Sequence, residues 1–286
     1  MIFLLFIVNQ EIDFEDLFTK ATTALVQFQA VRDSATQKFM ELGQDSLLAD
    51  TTIDFLVSKF DTRSRSERHA IKNILKKIGK PAIKGIVKKI DYRGGDEESR
   101  SLKQSLWILS EIGGDEIVEP AVRFIHDAEW QIRSGAYTAL GKSKSIKALS
   151  YILEGLNDSI SIVRKSAYYA LSQVATEGEL SYFIDGLADE FYGVRYAAVE
   201  GLLNIGAEAV KPLVEALGSD DTKNYFIIEA LKQIEAEDQL KLLITTKVSS
   251  IRYSIYQGIN DVHFLKEMLK DENHPLLKTF LETKIK

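Results

Sequence analysis

The sequence predicts an all-α fold, a right-handed α-α superhelix of the solenoid type with about eight helical hairpins, and three observations predict it. Three segments align without gaps: WQIRSGAYTALGKS from Trp130, SIVRKSAYYALSQV from Ser161 and YGVRYAAVEGLLNI from Tyr192. A fixed period of this length marks a repeat architecture. Apolar residues in each segment recur at the spacing of one helix face. Only four prolines interrupt 286 residues, so each must stand at a helix start or in a loop.

In chain order, the first element is the apolar run Ile2 to Val8. It is too short to span a bilayer and lacks the basic flank and small-residue cleavage site of a secretory signal. Residues 1–21 are therefore read as an apolar segment and cap of a cytoplasmic protein. If the run is instead the remnant of a signal peptide, the protein is exported.

The repeats follow, from residue 22 to the end, as one solenoid closed by a terminal helix near Leu276. Their register is set by Arg133, Arg164 and Arg195, 31 residues apart. Counting from each arginine, position +3 is Ala136, Ala167 or Ala198, position +6 is Ala139, Ala170 or Gly201, and position +7 is Leu140, Leu171 or Leu202. Six residues before each arginine stands Asp127, Asp158 or Asp189. Weaker copies lie upstream at Arg32, at Arg68 and at Leu102 with Asp96 before it. Downstream, Asn224 and Arg252 hold the slot. The small residue at +6 lets two helix backbones approach closely. Glycine at +11 (Gly43, Gly79, Gly113, Gly206) is expected to close the first helix with a left-handed residue. A second apolar helix follows, as in Ala209, Val210, Leu213 and Val214, with Pro212 tolerated in its first turn. Neither helix can bury its stripe alone, so the units must stack.

The pattern D-x-x-W/Y-x-V/I-R-x-x-A-x-x-A-L, seen from Asp127 to Leu140, resembles the HEAT repeats of the phycobilisome-lyase type. The resemblance implies second helices lining a concave side. It also implies a structural arginine–aspartate ladder between neighbouring units, in which Arg133, Arg164 and Arg195 are buried or half-buried. Trp130 and Tyr192 occupy the aromatic slot of such repeats and take the same structural role.

Reactive residues are few. The absence of cysteine excludes a disulfide framework, a thiolate nucleophile and a cysteine zinc site. Deoxyhypusine hydroxylases, built on similar repeats, hold a di-iron site through repeated His-Glu pairs. Here His69, His126, His263 and His274 are followed by Ala70, Asp127, Phe264 and Pro275, so that motif is absent. No glycine-rich phosphate loop follows a strand. No cofactor, metal ligand or catalytic residue is expected, and a bilin-lyase-like or hydroxylase-like activity remains an alternative without a named acid, base or nucleophile.

Charge supplies the best candidate site. The net charge is −6, yet Asp61 to Arg93 holds eleven basic residues against three acidic ones, leaving that stretch about +8 and the remainder about −14. Lys80, Lys84 and Lys88 recur every four residues and share one helix face. Arg68, Lys72 and Lys76 repeat the spacing on the preceding helix. A solvated face accounts for many such charges. The functional reading is a docking surface for another protein with an acidic segment. Nucleic acid is the alternative, weakened by the lack of aromatic residues for base stacking between Arg63 and Lys89.

Overall fold

The computed structural model describes residues 12–95 and 99–286; the apolar run at residues 2–8 and Asp96 lie outside them. All regular elements among the described residues are helices. The chain forms two compact units, Met1–Phe124 and Ile125–Lys286.

The first unit runs α1 (Phe14–Thr22), α2 (Gln29–Gln44), α3 (Ala49–Ser58), α4 (Arg65–Ile78), α5 (Pro81–Lys88), α6 (Arg100–Ile112) and α7 (Val118–Val122). Helices α2, α4 and α6 pack side by side in one layer, while α3 and α5 form a second layer against them. The apolar stripes meet between the layers, where Phe39, Ile53, Leu56, Ile71, Leu75, Ile86 and Leu109 are almost wholly buried. Helix α1 covers α2 and α4, and its Phe14 stacks on Phe55 at 5.2 Å between ring centres.

The second unit repeats this order five times. Its first helices are α8 (Trp130–Ser143), α10 (Ser161–Ser172), α12 (Tyr192–Ile205), α14 (Asp221–Gln233) and α16 (Ser249–Gly258). The second helices are α9 (Leu149–Gly155), α11 (Leu180–Gly186), α13 (Val210–Glu215), α15 (Glu237–Leu242) and α17 (Val262–Asp271), and α18 (Pro275–Lys284) packs on α16 and α17. The eight predicted hairpins are therefore present as three pairs in one unit and five in the other. The small +6 residue does what its size suggests: a Cβ placed on Gly141 of α8 would lie 2.5 Å from the Ala170 Cα of α10, so the two backbones touch.

The prolines occupy first turns. Pro81 and Pro275 are the first residues of α5 and α18, and Pro120 and Pro212 the third residues of α7 and α13. There the missing N–H would have had no helical partner. Glycine at +11 closes three first helices with positive φ, +77° at Gly79, +70° at Gly113 and +79° at Gly206. Gly43 departs from the expectation. It stays inside α2, because the turn comes later, at Asp45, whose carboxylate accepts from the Leu47 and Leu48 amides at 2.8 and 3.1 Å.

The repeat arginine performs two tasks. Its Nη1 donates to the carbonyl six residues earlier, Arg133 to Asp127 at 2.8 Å, Arg164 to Asp158 at 3.0 Å and Arg252 to Thr246 at 3.0 Å. Asn224 makes the same bond to Gly218 at 2.7 Å. The rest of the guanidinium grips the next repeat. Arg133 Nε and Nη2 lie 2.7 and 2.9 Å from the Asp158 carboxylate, and Arg164 reaches Asp189 at 2.8 and 2.9 Å. Each aspartate also accepts the amide two residues on, Asp158 from Ile160 at 2.8 Å and Asp189 from Phe191 at 2.8 Å. Burial alone would raise the Asp158 carboxyl, but the Arg133 fork and the Ile160 amide outweigh it and hold the pKa below its ordinary value. The aromatic slot differs from expectation. Trp130 and Tyr192 are 39% and 55% exposed, because position −3 is the first residue of its helix and its ring lies on the surface of the stack.

Candidate functional site

Helix α5 positions the lysines. Pro81 starts it, Ala82, Ile83 and Ile86 turn into the core, and the remaining positions place Lys84 and Lys88 outside, with Lys80 at the N-cap. The three lysines, with Ile83, Val87, Glu116 and Pro120, line an open depression of about 540 Å³. Its floor is apolar and its rim is charged. The sequence reading thus placed these three together correctly.

Each lysine meets a carboxylate from a neighbouring repeat. Lys80 Nζ lies 2.7 Å from Glu116, Lys84 3.3 Å from Asp50 and Lys88 3.2 Å from Asp54. The Lys80 ammonium, followed by a backbone hydrogen bond, holds the Glu116 carboxyl below its ordinary pKa. These acids were missed in the sequence, although Asp50 and Asp54 stand 34 residues before Lys84 and Lys88, about one repeat away. The positive excess of residues 61–93 is met by carboxylates of flanking repeats.

Arg68, Lys72 and Lys76 of α4 do not join this surface. Arg68 donates to the carbonyls of Thr62 and Arg63 at 3.2 and 2.7 Å, the repeat-arginine role. Lys72 is half-buried with its ammonium 4.5 Å over the Trp107 ring of α6. Burial and then the neighbouring Arg68 charge lower its pKa. Lys76 pairs with Glu111 of α6. These three serve the packing of α4 on α6.

The histidines are dispersed. His69 sits 3.3 Å from Asn73, His126 lies 3.1 Å from Glu154, and His274 is the N-cap of α18. Among the described residues no group of three His, Asp or Glu side chains gathers as a metal-binding set. No described helix is long and apolar enough to cross a membrane.

A family model of HEAT repeats matches residues 93–172, and a model of the PBS lyase HEAT-like repeat matches residues 194–219. The helical pairs described above are HEAT repeats of this kind. None of the curated proteins matches the chain in sequence. Among solved structures, an engineered protein is similar at 18% identity and a TM-score of 0.45, over 85% of this chain and 82% of that one. Human deoxyhypusine hydroxylase in complex with glycerol is similar at 17% identity and a TM-score of 0.41, over 84% and 96%. The complex of CpcE and CpcF of phycocyanin lyase from Nostoc sp. PCC7120 is similar at 16% identity and a TM-score of 0.42, over 86% and 93%.

Proposed function

We propose that the chain is a non-catalytic scaffold that binds another protein, with the α5 face as the docking surface for an acidic segment. One observation carries the reading: Lys80, Lys84 and Lys88 ring an open depression floored by Ile83, Val87 and Pro120. Apolar residues supply area to bury, and a charged rim supplies register and specificity. The lysine–carboxylate pairs are solvent-exposed, and such pairs are worth roughly 0–1 kcal/mol each. A partner carboxylate can therefore replace Asp50, Asp54 or Glu116 at little cost. The same interleaved acids favour protein over nucleic acid, since they would repel successive phosphates.

The test is affinity capture of partners by the full chain, beside a variant with Lys80, Lys84 and Lys88 all changed to Glu. A partner recovered with the wild type and lost with the variant, at unchanged helical content, supports the surface. Equal recovery by both proteins overturns it. Duplex DNA binding that falls steeply with salt would replace the reading with a nucleic-acid one.

A further inference from the structure

The arginine–carboxylate ladder stops at a particular joint. Arg133 and Arg164 each hold the aspartate six residues before the next slot residue. For Arg195 the corresponding residue, six before Asn224, is Gly218. It has no side chain to offer. Arg195 keeps the local task and donates to the Asp189 and Glu190 carbonyls, but it makes no ion pair among the described residues, and its Nε is buried without a hydrogen-bond partner. A Cβ built on Gly218 would meet nothing within 4 Å, so the space that a carboxylate would enter is open. Helix α14 contributes Phe226, whose ring centre lies 5.1 Å from the guanidinium carbon, and Tyr192 lies 5.6 Å from it. Tyr192, Tyr196 and Tyr225 around this point are all substantially exposed.

We propose that Arg195 is a docking point for a carboxylate side chain of a protein partner, which completes in trans the ladder that Asp158 and Asp189 complete in cis. A guanidinium fork binds a carboxylate through two parallel hydrogen bonds, and two joints of this chain display that geometry. A buried donor left unpaired is unfavourable, so an incoming carboxylate gains a partner that water reaches poorly. The tyrosines give the arriving segment rigid, amphipathic area around the charged contact. This site belongs to the second unit and is independent of the α5 face.

The experiment follows the Nε–H resonance of Arg195 in the labelled full chain, identified by its loss in Arg195→Lys. Sodium acetate is the probe, with sodium chloride and inorganic phosphate at matched ionic strength as controls. Acetate should shift the resonance saturably in the millimolar range, and chloride should not. In Gly218→Asp the resonance should already sit near its acetate-bound position and no longer respond. A hexaglutamate peptide should bind the wild type on the order of tenfold more tightly than Gly218→Asp, the effect of one charge-assisted contact. A wild-type resonance indifferent to acetate, or an acetate response that survives Gly218→Asp, overturns the proposal. Phosphate saturating at lower concentration than acetate overturns the choice of carboxylate.

Discussion

The Tyr137 ring of α8 fills the space that Gly155 of α9 leaves empty, and a Cβ on Gly155 would lie 2.4 Å from that ring. The next repeat has the same pair, with Tyr168 against Gly186 at 2.4 Å. The repeat after that exchanges the sizes, carrying Val199 in the tyrosine's place and Leu217 in the glycine's. Core volume is thus conserved between the two helices of a hairpin. Gly155→Ala should destabilise the protein by about 1–3 kcal/mol, the usual cost of overpacking. Adding Tyr137→Val should recover most of that loss. Denaturant unfolding of the two single variants and the double variant measures the coupling; strict additivity would show that the pair is not in contact.

Asp158→Asn should cost roughly 3 kcal/mol, because it leaves the half-buried Arg133 guanidinium without its counter-charge. Lys80→Ala, which removes an exposed pair with Glu116, should cost less than about 1 kcal/mol. Chemical denaturation of both variants under one buffer condition sets the contrast.

Alkaline pH should weaken the second unit before denaturation by chain repulsion sets in. Burial pushes the Tyr137 and Tyr168 hydroxyls up to about 12, against about 10 in the unfolded chain. Between these values the unfolded state has lost the proton and the folded state keeps it, so stability falls as pH rises. The loss by pH 12 is on the order of 2 kcal/mol per tyrosine. Melting temperatures from pH 8 to 11.5 should decline in the wild type, and less so in Tyr137→Phe.

Leu171→Asp should unfold much of the second unit. Leu171 is fully buried in α10, and an unpaired carboxylate there costs several kcal/mol, comparable to the net stability of a domain. Circular dichroism melts check this; a transition close to wild type would mean that the side chain escapes the core.

Much of the repeat was legible because it is local. A small residue, a leucine and an arginine at fixed offsets report one helix face and one loop. The pairing of Arg133 with an aspartate was readable too, since both recur with the period. What escaped was set by neighbours of irregular spacing. Asp50 and Asp54 belong to a repeat that is offset from α5 by an atypical length, so no fixed offset announced them. Gly43 and Gly79 stand in similar contexts, Leu42-Gly43 and Ile78-Gly79. They diverge because Asp45 caps the following amides in one case, whereas Lys80 and Pro81 begin a helix at once in the other. The charge count along residues 61–93 misled for the same reason: it ran along the chain, while the neutralising acids approach from the side.

The matched joints at Asp158 and Asp189 have a genetic consequence. The segment 158–188 begins with the carboxylate that the preceding arginine needs and carries, in Arg164, the cation that the following aspartate needs. Its leading and trailing edges are therefore complementary to each other. A tandem copy of these 31 residues would present correct edges on both sides, so such a chain can grow by in-frame duplication without a new interface having to evolve.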